Sequence, residues 1–156
     1  MESMETLHQL EERLGYRFND PELLRGALYH SSYANEHRSM GIASNERLEF
    51  LGDAVLGFVS ADFLYRKHSD LPEGELTRIR AALVCEESLH EVAQSLRLGD
   101  FLLLGKGEES GGGRRRPSIL ADAVEAVLAA VYLDGVIDKA RALIHRILLD
   151  KEQEEV

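Results

Sequence analysis

The sequence predicts an all-α fold, one helical domain built from about seven or eight helices over residues 1–150, with residues 151–156 as a charged tail or the start of a linker. Three observations carry this. Apolar residues recur at helical spacing nearly throughout, and no period-two alternation persists over a useful length. Start and stop signals such as Asp20-Pro21, Pro72, Gly15 and Gly99 fall between the periodic segments. The length of 156 residues, 44% hydrophobic and 29% charged, suits one core rather than two, and no internal repeat or domain-splitting linker is present.

In chain order, residues 5–14 form a short first helix, ended by Gly15. "NDPELLRGALYH" starts a second, with Asp20 as N-cap and Pro21 at the first helical position. A long helix runs from about Ser44 to Lys67, another opens after Pro72 in "LPEGELTRIRAALV", and a further one spans Glu86 to Leu98, closed by Gly99. Residues 104–118, "LGKGEESGGGRRRPS", read as a low-complexity loop whose glycines cannot hold a helix. A helix from Ser118 to Leu133, with Ser118 as its N-cap, and a last one from about Asp138 to Lys151 complete the chain.

Composition excludes several classes. No apolar run approaches the roughly 18 residues of a membrane helix, and the acidic, amphipathic "MESMETLHQLEERLG" is neither a signal nor a transit peptide. The lone Cys85 has no partner for a disulfide and reads as a buried small hydrophobe, so an intracellular, cytoplasmic location is expected. A formal net charge of −10 argues against strong binding to nucleic acid by this chain alone. The acids are loaded at the two ends, however, while "GGGRRRPS" is a local positive island, so an RNA substrate is not excluded.

The segment "NERLEFLGDAVLG", residues 45–57, places three acids beside a core stripe. On a helical wheel Leu48, Leu51, Val55 and Val59 form the stripe, whereas Glu46, Glu49 and Asp53 share a flank between roughly 100° and 160° from Leu48. In "SILADAVEAVLAAVYL" the stripe is Leu120, Val124, Val127 and Val131, and Asp122 and Glu125 lie together on another face among alanines. One such pair alone would read as a solvated face. Two half-buried pairs without basic partners are reconciled if they converge, because a buried carboxylate is costly unless paired or metal-bound. Glu49, Asp53, Asp122 and Glu125, with no histidine nearby in sequence, select a hard cation, Mg²⁺ with Mn²⁺ as substitute, over zinc.

"NERLEFLGDAVLG" resembles the signature segment of ribonuclease III, the double-stranded-RNA endonuclease family that includes Dicer and Drosha. "LGYRFNDPELLRGALYHSS", "PEGELTRIRAALV" and "LGDFLLLGKGEESGGGRRRPSILADAVEAVLAAVYLDG" follow the family's order and spacing, so the resemblance covers nearly residues 7–150. It implies a metal-dependent endonuclease that leaves 5′-phosphate and 3′-hydroxyl ends on double-stranded RNA and acts in rRNA and mRNA processing. By position, Glu49, Asp53, Asp122 and Glu125 match the family's metal-binding carboxylates, with Glu125 the one on which activity most depends. Glu46, Glu73 and Asn45 match supporting residues.

The resemblance also implies a homodimer. Phe50 falls at about 200° on the wheel, off the core stripe. It is either satellite core packing or, as in the family, an aromatic that plugs a socket on a second subunit, with Gly52 and Gly57 permitting close helix approach. Arg114, Arg115 and Arg116 either contact phosphates or form a solvated run before the next helix. His30 is read as a packing and hydrogen-bonding residue; Lys106 and Glu108 carry no assignment. Bacterial members continue into a double-stranded-RNA-binding domain, whereas the chain stops at "KEQEEV". A cut at the linker is expected rather than a naturally compact member, with RNA affinity low and salt-dependent.

Competing readings are a non-catalytic RNA-binding relative, which would be expected to lose the four carboxylates, and an all-α nucleotide pyrophosphohydrolase, whose acidic motifs sit on helices close in sequence. A di-iron bundle would need Glu-x-x-His pairs, and none exists.

Overall fold

The computed structural model of the protein describes residues 4–150. Its helices are α1 (Met4–Leu14), α2 (Pro21–Ala27), α3 (Ser31–Glu36), α4 (Glu46–Lys67), α5 (Glu73–Val84), α6 (Glu86–Leu96), α7 (Lys106–Ser110) and α8 (Pro117–Ile144). A wider π-turn over His145–Leu149 continues α8. Among the described residues the strand-like pairing is a single parallel bridge between Tyr29 and Leu103. The all-α expectation holds; Lys151 and the "KEQEEV" tail lie outside the described residues.

The core is built around α8. Between Ile119 and Val131 every residue except Asp122 and Glu125 is buried. A helix apolar on all sides belongs at the centre of a domain, and α4, α6 and α2 pack around it. Leu7, Leu10 and Leu14 of α1, Leu56 and Leu64 of α4, and Val92 and Ala93 of α6 close the same core. Each fully buried leucine, such as Leu56 or Leu128, contributes about 2 kcal/mol by removal from water. α5 differs: it buries no residue fully and packs mainly on α4 and α6.

The caps show why the elements begin where they do. Asp20 accepts from the Glu22 N–H at 3.1 Å, and Pro21 occupies the first helical position of α2. Asn45 is buried; its Nδ2 donates to the Ala27 carbonyl at 2.9 Å and its N–H to the Tyr29 carbonyl at 2.8 Å. The start of α4 is thereby pinned to the end of α2.

Several local expectations are corrected. α6 ends at Leu96, not Leu98, because Arg97 takes the left-handed conformation (φ 53°) and the chain turns into a 3₁₀ segment over Leu98–Phe101. The glycine-rich stretch contains a short helix after all: α7 starts where Ser32 Oγ accepts from the Gly105 N–H at 2.8 Å and Glu36 accepts from the Lys106 N–H at 2.7 Å. These tertiary caps offset the poor helix propensity of its glycines. Ser118 is not the N-cap of α8. Pro117, lacking an N–H and with φ already helical, starts the helix, and Arg116 is the residue before it. Cys85 is exposed rather than buried, since it forms the extended junction between α5 and α6; its thiol donates to the Ala82 carbonyl at 3.4 Å. The expected separation of two C-terminal helices appears as a break in α8 at Gly135 and Val136.

Candidate metal centre

The crossing of α4 and α8 sets the site. At the crossing α4 presents Gly52, which is buried against the backbone of Glu125. A Cβ there would overlap the Glu125 carbonyl oxygen, lying 2.5 Å from the carbonyl carbon and 3.1 Å from Cα. Only glycine allows the two helices to approach this closely. The expected role of Gly52 in a contact between subunits is therefore corrected: it serves a contact within the chain. Gly57, with nothing within 4 Å of a built Cβ, has no such role.

Gly52 lies three residues after Glu49 and one before Asp53, so the close approach brings both acids onto α8. Glu49, Asp122 and Glu125 each offer a carboxylate oxygen, and these oxygens lie within 4.8 Å of one another. All three side chains are half-buried. Asp53 is more exposed and hydrogen-bonds the Glu125 carboxyl, while Glu49 hydrogen-bonds Asp122.

Electrostatics mark the cluster apart. Burial first, then the charge and hydrogen bond of Asp122 and the charges of Glu46 and Asp53, push the Glu49 carboxyl up to about 7. Burial and then the hydrogen bond and charge of Asp53, with Glu49 and Asp122 behind, push Glu125 up to about 8. Asp122 is also raised, chiefly by burial and by the charge of Glu86, against the hydrogen bond from Glu49 and the attraction of His30. Without a cation the Glu49 and Glu125 carboxyls are therefore harder to ionise than a free carboxylate, Glu49 hydrogen-bonding Asp122 and Glu125 hydrogen-bonding Asp53. The donor set is oxygen only. It suits Mg²⁺ or Mn²⁺, which take carboxylates and keep waters, and does not suit zinc, which favours sulfur and nitrogen.

The remaining sequence-predicted residues fall into three groups. Glu46 is exposed beside the cluster and accepts from Ser44 Oγ at 3.1 Å, and Asn45 acts on it through the backbone: the Asn45 carbonyl accepts the Glu49 N–H at 2.9 Å. Glu73 is not brought to the acids of this chain. It is exposed at the start of α5 and lines a groove with Phe58, Asp62, Tyr65 and Arg80, about two and a half to four and a half helical turns along α4 from Glu49. The arginines divide. Arg114 donates to the Gly99 and Leu102 carbonyls at 2.7 and 2.8 Å and pairs with Glu109 at 2.8 Å, and Arg116 pairs with Glu108. Those two stitch the loop together; Arg115 alone of the three is exposed without a recorded partner among the described residues.

Two further residues act on the site: His30, read from the sequence as a packing and hydrogen-bonding residue, and Glu86, which the sequence does not single out. His30 caps α3, its Nδ1 accepting from the Ser32 N–H at 3.1 Å, yet its ring also attracts Asp122. Glu86 opens α6 and repels Asp122. Neither is near Asp122 in sequence, so only the packing reveals their influence on it.

On the flank of α4, Phe50 is 82% exposed, and satellite core packing is excluded. It lines a groove of about 740 Å³ with Gly26, Ala43, Leu48, Leu51 and Leu133. Among the described residues no helix is long and apolar enough to cross a membrane.

The ribonuclease-III-like family model matches residues 20–151. A ribonuclease 3 of Oceanobacillus iheyensis is 56% identical over 132 residues, which cover 85% of this chain and 58% of that protein. One of Listeria monocytogenes is 48% identical over 148 residues, covering 95% of this chain and 65% of that protein. The chain thus spans 58 to 65% of the length of these relatives. Among solved structures, the nuclease domain of ribonuclease III from Campylobacter jejuni superimposes with a TM-score of 0.85 at 42% identity, covering 97% of each chain. A second structure of that domain, described as showing flexibility in a region involved in dimer formation, gives a TM-score of 0.84 at 43% identity, with 90% of this chain and 94% of that one covered.

Proposed function

The chain belongs to the ribonuclease III family, and from that premise we propose that it is a metal-dependent endonuclease domain hydrolysing double-stranded RNA to 5′-phosphate and 3′-hydroxyl ends. The observation that carries the reading is the convergence of Glu49, Asp122 and Glu125 within 4.8 Å, with Asp53 bonded to Glu125. Glu49, Asp53, Asp122 and Glu125 would hold Mg²⁺, or Mn²⁺ in its place. A bound divalent ion supplies an acidified water and neutralises charge on the phosphoryl oxygens.

The chain's own residues prepare that site. Gly52 sets the spacing of the two acidic helices, and Asn45 fixes the start of the helix that carries Glu49 and Asp53. Half-burial keeps Glu49, Asp122 and Glu125 in a medium where their charges repel one another strongly, so a cation shared among them would stabilise the ionised cluster. Glu46 adds negative charge at the rim. A-form RNA is read through shape and 2′-hydroxyl contacts, so weak sequence preference is expected. With a net charge of −10 and few exposed cations in the 104–118 loop, Lys106, Arg115 and Arg116, affinity for RNA should be low and salt-dependent.

The reading extends to a homodimer formed through Phe50 and the groove beside it, to a cytoplasmic location, and to the processing of rRNA and mRNA precursors. Phe50 and Leu133 support the dimer: large apolar side chains gathered at one exposed groove mark an interaction site.

The test is incubation with long double-stranded RNA in Mg²⁺ or in chelator. Cleavage is expected only with metal, and Glu125→Gln should lower it on the order of 1,000-fold while RNA binding is retained. Cleavage at the wild-type rate by that variant would remove Glu125 from the mechanism.

A further inference from the structure

His30 precedes α3 with every polar group but one engaged. Its N–H donates to the Leu103 carbonyl at 3.1 Å, and its carbonyl accepts the Tyr33 and Ala34 N–H groups at 3.0 and 3.1 Å. Its Nδ1 lies 3.1 Å from the Ser32 backbone nitrogen and 2.8 Å from the Ser32 hydroxyl. A backbone N–H can only donate, so Nδ1 is the acceptor and the neutral ring carries its proton on Nε2. The Ser32 hydroxyl in turn accepts from the Gly105 N–H at 2.8 Å, which leaves its own proton for Nδ1. Nε2–H is thus a donor whose tautomer is fixed from behind, on a half-buried ring, and it has no hydrogen-bond partner among the described residues.

The segment that carries His30 also anchors the acidic helix α4. Asn45 donates its N–H to the Tyr29 carbonyl and its Nδ2 to the Ala27 carbonyl, so residues 27–30 hold the start of the helix that bears Glu49. The Leu103 N–H donates to the Leu28 carbonyl at 2.9 Å and fixes the segment from its other edge. Burial dominates the surroundings of Asp122; against it, the His30 ring favours the ionised carboxylate. Glu49 and Glu86, which also act on Asp122, are acids. A carboxylate that ligates a cation is itself held by a hydrogen bond, and the group that gives this bond sets the ligand's orientation. A Glu49 carboxylate engaged with a cation no longer serves Asp122, whereas the Nε2–H donor stays in place because Ser32 sets its tautomer.

Resting on the metal-centre reading above, we propose that His30 is a positioning residue of that centre: its Nε2–H donates to the ionised Asp122 carboxylate and orients it for a divalent cation, while its Nδ1 caps α3. The two ring nitrogens then do separate jobs, and side chains that keep one of them should tell the jobs apart. Asparagine places an acceptor oxygen near the position of Nδ1 and nothing at Nε2. Glutamine places an amide N–H near the position of Nε2 and no acceptor at Nδ1.

The experiment titrates Mn²⁺ into wild type, His30→Asn and His30→Gln, reading free Mn²⁺ by its electron paramagnetic resonance signal, and records the unfolding midpoint of each protein in chelator. His30→Asn should weaken Mn²⁺ binding about tenfold while its midpoint stays within about 2 °C of wild type, since asparagine is a good cap. His30→Gln should stay within about threefold of the wild-type affinity and lose about 3 °C with the cap. Wild-type Mn²⁺ affinity in His30→Asn would overturn this proposal and leave the metal-centre reading standing. A loss of affinity in His30→Gln as large as in His30→Asn would also overturn it, because the ring would then act as a cap alone. A wild type that binds no Mn²⁺ would defeat the metal-centre reading and this proposal with it.

Discussion

Asp134 and Glu125 are carboxylates on the same helix, both half-buried, with opposite surroundings. Asp134 faces donors. Its partial burial would raise its pKa, but the Tyr16 hydroxyl and the Asn19 and Asp20 N–H groups outweigh that and hold it below the usual carboxylate range. Glu125 faces acids, and burial together with Asp53, Glu49 and Asp122 pushes it up to about 8. The first is a satisfied charge that joins α8 to the α1–α2 turn. The second is an acid whose stabilisation is left to a proton or a cation. A sequence of "AVEAV" and "YLDGV" gives both residues the same chemistry; the partners that each one meets decide between architecture and function.

Substitution at the helix crossing should break the acidic side of this comparison and leave the other side intact. Gly52→Ala forces the α4 backbone away from Glu125, where an added Cβ has no room. A loss of more than about 3 kcal/mol is expected by denaturant unfolding, together with loss of cleavage. Retention of both would mean that the helices can separate freely.

Asp134→Ala is expected to cost less, about 2 kcal/mol at pH 7, since it strands the Asn19 and Asp20 N–H groups and the Tyr16 hydroxyl near the surface. The sign of its pH dependence sharpens the contrast. A folded-state pKa lowered below the unfolded value contributes stability that is present above the unfolded pKa and lost as pH falls through the folded one. The gap between wild type and Asp134→Ala should therefore close as pH falls below about 4. A gap that widens in acid would contradict the donor network.

Much of this molecule was legible in the sequence because the decisive signals were local. Helical periodicity, the Asp20-Pro21 start and the Pro72 start each act within a turn or two, and α2 and α5 follow them. The acids were legible for the same reason: flank positions beside a core stripe put Glu49 and Asp53 on one helix and Asp122 and Glu125 on another, where the fold brings them together. What was illegible depends on which distant backbone arrives. Gly52, two residues from an exposed phenylalanine, reads as a glycine for close approach to a second copy until α8 is laid across it. Arg114 sits in a glycine-rich run that looks solvated, yet its guanidinium is taken up by the carbonyls of Gly99 and Leu102 on another turn. Cys85 is small and apolar, but its place at a helix junction leaves it outside the core.

The central claim is that the acids on α4 and α8 hold protons which a divalent cation displaces. Glu49 and Glu125 have folded pKa values of about 7 and 8, above their ordinary value of 4.5. Their contribution to stability is thus fully present below about pH 4.5 and is lost as pH rises through 7 and 8, because the unfolded chain ionises first. The direct measurement is the thermal unfolding midpoint in chelator from pH 5 to 8.5, for wild type and for Glu125→Gln, repeated in Mg²⁺. Relative to the variant, wild type should lose on the order of 5 °C across that interval in chelator and regain it in Mg²⁺. Parallel curves for the two proteins in chelator, with no response to Mg²⁺, would contradict the account.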